Sequence, residues 1–65
     1  MFRIPRYRVV ADLIHADGTF VTHTVASDIK DYDEVERSVA QLKRNPPSHF
    51  KTFSRVVPRW ELSFA

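Results

Sequence analysis

The sequence predicts a small α+β domain. Its elements run β-β-α-β, giving a three-stranded antiparallel sheet of order 2-1-3 with one helix packed on one face. Three observations carry this. Two β-rich runs flank Ala16-Asp17-Gly18, which holds the only glycine of the chain. An amphipathic stretch then leads from Asp31 to Pro46-Pro47. The chain closes on Trp60, Leu62 and Phe64, which alternate with Arg59, Glu61 and Ser63.

The first two runs, Tyr7 to Ile14 and Phe20 to Ala26, are rich in aromatic and β-branched residues, as strands are. Gly18 sits where a turn needs positive φ. A two-residue Asp17-Gly18 turn would place Asp12 opposite His23. A three-residue Ala16-Asp17-Gly18 loop pairs Ile14 with Phe20 instead. The side-chain pattern decides, because a slip of one residue moves side chains between faces. With the longer loop, Tyr7, Val9, Ala11, Leu13, Val21, His23 and Val25 share a nearly clean apolar face. Arg6, Arg8, Val10, Asp12, Ile14, Phe20, Thr22 and Thr24 take the other. The longer loop is therefore expected. It separates Asp12 from His23 and removes the acid–base pair that the stretch LIHADGTFVTH brings to mind. His23 becomes a partly buried histidine of the core face with one nitrogen bonded, and His15 a solvated loop residue.

The next stretch reads as a helix from Tyr32 to Arg44. Asp31 followed by Glu34 resembles a capping box. Asp33, Glu34 and Glu36 suit the positive end of the helix dipole, and Lys43 and Arg44 suit the negative end. Tyr32, Val35, Val39 and Leu42 form one apolar stripe. Pro46 ends the run by disfavouring helical geometry at Asn45.

The last strand contains Trp60, Leu62 and Phe64, with Phe53 to Val57 as its extension beyond Pro58. Proline lacks a donor, so this strand belongs at an edge or carries a bulge. Phe50 and Phe53 read as plugs at one end of the core. A right-handed crossover through the helix sets the third strand beside the first. The expected core is Trp60, Leu62, Phe64, Tyr7, Val9, Leu13 and the helix stripe, with the opposite sheet face left uncovered.

Composition bounds the function. Residues 1–65 make one small domain, and a chain of this length buries only about 60% of its unfolded surface. With no cysteine, disulfides and thiolate metal sites are excluded, and oligomerisation is the remaining means of support. The lack of cysteine fits a reducing compartment, so a cytoplasmic location is expected. The opening MFRIPRYRVV has no long apolar core of a signal peptide, and no apolar run approaches the roughly 20 residues of a membrane-spanning helix.

Little in the chain reads as catalytic, and no enzyme activity and no cofactor are expected. One glycine cannot build a phosphate-cradling loop. Ser27, Ser48 and Ser54 lack the strained turn of an activated nucleophile. The acids Asp28, Asp31, Asp33, Glu34 and Glu36 are explained by a helix cap and a solvated helix face. His15, His23 and His49 lie on separate elements without metal-ligand spacing.

Charge distribution is more informative. Arg3, Arg6 and Arg8 occur without an acid in residues 1–11, and Lys43, Arg44, Lys51, Arg55 and Arg59 without one in residues 43–60. Two expectations follow. The first is a non-enzymatic protein-binding module, a homodimer through the uncovered sheet face, with Val10, Ile14, Phe20, Thr22 and Thr24 at the interface. The second is nucleic-acid binding by Arg6, Arg8, Arg55 and Arg59, with Phe20 stacking on bases. In size alone the chain resembles the small accessory proteins of phages and mobile elements.

Overall fold

A computed structural model describes residues 5–64 of the chain. Arg3, counted above among the amino-terminal basic residues, lies outside the described residues. Strand β1 (Pro5–Ile14) leads to β2 (Phe20–Ile29), helix α1 (Tyr32–Arg44), a short 3-10 turn (Ser48–Thr52) and β3 (Arg55–Phe64). The sheet has the order β2-β1-β3, and both neighbouring pairs are antiparallel.

The hairpin takes the three-residue loop. Ile14 pairs with Phe20, the His15 N–H donates to the Thr19 carbonyl at 2.8 Å, and the Gly18 N–H donates to the His15 carbonyl at 3.0 Å. Gly18 has φ of 92°, in the left-handed region where a Cβ is crowded by its own backbone. Asp17 pins the turn from within, accepting from the Thr19 N–H at 3.0 Å and from the Thr19 hydroxyl at 2.7 Å.

Away from the turn, β2 departs from a regular ladder. Val10 pairs with Thr24 but Val9 with Ala26, and Tyr7 pairs with Ile29, so β2 carries an extra residue twice. At the second irregularity Asp28 has φ of 58°, a conformation that aspartate tolerates better than most residues. These bulges carry β2 three residues past the expected Ala26 and bring Ile29 into the core. Strand β3 runs unbroken through Pro58, which stands opposite Ala11 without a shift in register. As an edge strand it tolerates a residue with no donor.

Helix α1 begins where Asp31 accepts from the Asp33 N–H at 3.1 Å. No return bond from the Glu34 side chain forms among the described residues, so the cap is a simple aspartate cap rather than the reciprocal box. The Asn45 N–H donates to the Gln41 carbonyl at 2.8 Å before Pro46 ends the helix. Val35 and Leu42 are buried, with Val39 packed beside them.

The core gathers Val9, Ala11, Leu13, Ile29, Val35, Leu42 and Phe50, flanked by Tyr7, Ala26, Val39, Phe53 and Val56. One expectation is corrected. Trp60, Leu62 and Phe64 are 40%, 50% and 56% exposed rather than core residues. The reason is coverage. Ten-residue strands extend about 33 Å, whereas a 13-residue helix extends about 20 Å. A single helix shields the central strand and leaves the flanks of both outer strands partly bare.

Candidate interaction surfaces

The outer face of the sheet, away from α1, is built by β1 and β3 facing each other residue by residue. Arg8 stands opposite Glu61, Val10 opposite Arg59, and Asp12 opposite Val57. Their polar groups join into one network. Arg59 Nε donates to Asp12 Oδ2 at 2.9 Å and its NH1 to Glu61 Oε2 at 2.9 Å. Arg8 forms an ion pair with the same Glu61. The Thr22 hydroxyl on β2 donates to Asp12 Oδ1 at 2.8 Å, so the network crosses all three strands. Hydrogen bonding to Arg59, and then to Thr22, holds the Asp12 carboxyl below the usual carboxylate range. Bonds from Arg59 and then Arg8 do the same for Glu61.

This network covers one residue of the expected interface, Val10. Val10 lies between Arg59 and Thr24, its neighbours on the flanking strands, and is 1% exposed rather than an open apolar contact. Long arginine stems cover apolar surface while their charged heads reach solvent. Ile14 is half-buried, and Phe20, Thr22 and Thr24 are exposed. The arginines expected to meet phosphates are largely occupied. Arg6 Nε lies 3.2 Å from Asp28 Oδ1, Arg8 pairs with Glu61, and Arg59 with Asp12 and Glu61. Arg55 alone of the four has no ion-pair partner among the described residues. It stands opposite Ile14, which in turn faces Phe20, at the turn end of the sheet.

The apolar surface that is bare lies on the other side, along the flank of α1. Tyr7, Tyr32 and Trp60 form a triangle of tilted and edge-on rings with centroids 5.4–5.5 Å apart, a spacing suited to attractive ring contacts. Partial desolvation, and then the neighbouring Glu36, push the Tyr32 phenol up. Leu62 and Phe64 continue the row on β3. Beside Trp60 runs a groove whose helical wall is Glu36, Val39, Ala40 and Lys43. On the opposite flank a second groove is lined by Val25, Arg37, Ser38, Gln41 and Leu42. Alternation along the sequence found the right residues of β3 but assigned them to the core. The signal that places them outside is the mismatch between a 13-residue helix and 10-residue strands.

Of the histidines, His23 departs from expectation, while His15 is a solvated turn residue as expected. His23 is on the helix side of the sheet but exposed, because α1 does not reach that part of β2. Its ring meets Phe50 at 5.6 Å and His49 at 6.2 Å between centroids. The fold thus joins two histidines that are 26 positions apart in the chain. His15 is exposed at the turn with its ring 4.8 Å from Phe53. Asp12 and His23 occupy adjacent, opposite-facing positions, paired with Thr22 and Ala11 respectively. Among the described residues, no group of three or more His, Cys, Asp or Glu side chains is placed to hold a metal ion. No side-chain hydrogen bond joins a serine to a histidine there. Among the described residues, no helix is long and apolar enough to cross a membrane.

Comparison of the chain with protein-family models, with curated proteins and with solved structures finds no match.

Proposed function

We propose that this chain is a non-enzymatic protein-binding module of the cytoplasm that works as a homodimer. The observation that carries the reading is the row of Trp60, Leu62 and Phe64, at least 40% exposed along an edge strand of a 65-residue chain. Contiguous apolar surface of this kind marks an interaction site, and a small domain gains stability by burying it. Tryptophan and phenylalanine are also the side chains that interfaces concentrate. The proposed contact moves from the outer sheet face to the α1–β3 flank. On the outer face Val10 is already covered, leaving Phe20 as its large exposed apolar group.

Sedimentation of the protein at tens of micromolar tests the reading. Dimers that dissociate on Leu62→Asp and persist on Phe20→Asp support it. A monomeric wild-type chain would remove the homodimer.

A second reading is nucleic-acid binding at the turn end, favoured by unpaired Arg55 near exposed Phe20. The helix also delivers Lys43 and Arg44 toward the segment that carries Lys51 and enters β3. Arg6, Arg8 and Arg59 take part less, because each already meets a carboxylate. Binding of single-stranded DNA or RNA that weakens steeply with salt would support this reading. No mobility shift at low salt would reject it.

A further inference from the structure

Resting on the homodimer reading, we infer that the second copy docks antiparallel along the α1–β3 flank, with Glu36 of each chain facing Lys43 of the other. Glu36, Ala40 and Lys43 recur at helical spacing and form the wall of the groove beside Trp60. All three are exposed, and neither Glu36 nor Lys43 has an ion-pair partner among the described residues. The stripe therefore carries opposite charges at its two ends and a small residue near its middle.

That pattern is self-complementary in one orientation. Seven positions along the helix carry Glu36 to Lys43, a rise of about 10 Å. A two-fold axis midway, at the level of Val39 and Ala40, brings each glutamate opposite the partner's lysine. The small Ala40 side chain lets the two helices approach. Trp60 lines the same groove, so a partner helix seated there covers its exposed ring. The reverse, parallel orientation would set glutamate against glutamate and lysine against lysine. Antiparallel helices also set each acidic first turn, with Asp33 and Glu34, toward the partner's basic last turn, with Lys43 and Arg44.

The joint is made by side chains rather than by a continuous strand ladder, because Pro58 has no N–H to donate at the middle of β3. A standard interface buries about 800 Å² per partner, roughly one sixth of the 4968 Å² accessible on this chain.

Charge reversal with mixing tests the arrangement by analytical ultracentrifugation at low salt. Glu36→Lys and Lys43→Glu each place like charges in contact twice per dimer, so each should weaken self-association on the order of tenfold. Equimolar mixing of the two variants restores opposite charges at both contacts and should return dimers of near wild-type affinity. Recovery on mixing also shows that both variants are folded. A wild-type dimer that is indifferent to either reversal, or reversals that mixing does not rescue, would overturn the antiparallel docking and leave the homodimer reading standing. Single reversals that leave self-association unchanged, with an equimolar mixture that associates more tightly than wild type, would overturn it in favour of parallel docking. A wild-type monomer would end both proposals.

Discussion

Arg59 and Asp12 meet across the outer face of the sheet, Nε to Oδ2 at 2.9 Å, and bind the edge strand β3 to the central strand β1 over a buried Val10. The pair ties stability to pH. Asp12 and Glu61 both titrate below their ordinary range in the folded protein, Arg59 being the leading cause for each. The unfolded chain therefore takes up protons first as pH falls, and stability rises with pH through that interval. The contribution is complete above the ordinary carboxylate range and is lost as pH drops through the depressed folded values. Urea midpoints should decline from pH 7 to pH 3, and Asp12→Asn should lower the midpoint at pH 7 while flattening the decline. An unchanged acid limb in that variant would show that the network does not couple protonation to folding.

Val10 and Phe20 lie on the same sheet face and should respond oppositely to truncation. Val10 is 1% exposed, so Val10→Ala removes packed methyl groups and should cost about 2 kcal/mol. Phe20 is 62% exposed, and Phe20→Ser should stay within about 0.5 kcal/mol of wild type. Equilibrium denaturation of the two variants, compared at one protein concentration, reads the contrast. Equal losses would mean that the outer face is not organised over Val10.

Gly18 is replaceable in space but not in backbone. A Cβ built there meets nothing within 4 Å, so the penalty comes from φ of 92° alone. Gly18→Val should destabilise by about 1 kcal/mol or more. Gly18→Asn should lose less, since asparagine visits this region more readily. Thermal melts of the two variants should rank wild type above asparagine above valine.

Asp31 starts the helix through its bond to the Asp33 N–H. Asp31→Ala should cost about 1 kcal/mol, and Asp31→Asn only a fraction of that. Glu34→Ala should be nearly silent for the cap, because Asp31 makes its bond without a return contact from Glu34. Far-UV circular dichroism followed through urea distinguishes the three.

Much of the fold was legible in the sequence because local rules agree with one another there. Alternation in Tyr7–Leu13, the single glycine, the Asp31 cap and the Pro46 stop each specify one element and its limits. The side chains also chose the hairpin register, since only one register sets Val21, His23 and Val25 on the face of Val9, Ala11 and Leu13 rather than with Arg8 and Asp12. None of these inferences needs a contact between distant parts of the chain.

Tertiary structure decided what each face presents. Alternation tells which residues of β3 share a side, but not how far a helix reaches over that side. Trp60, Leu62 and Phe64 therefore looked like core until the short helix was set on the longer sheet. Likewise, Val10 looked open until Arg59, 49 positions later in the chain, was placed opposite it. The sequence by itself determined the elements, their order and the turn, because these follow from backbone preference and period. Which apolar residues are covered and which arginines are neutralised depended on segments far apart in the chain meeting across the sheet, and only the assembled fold fixes those distances.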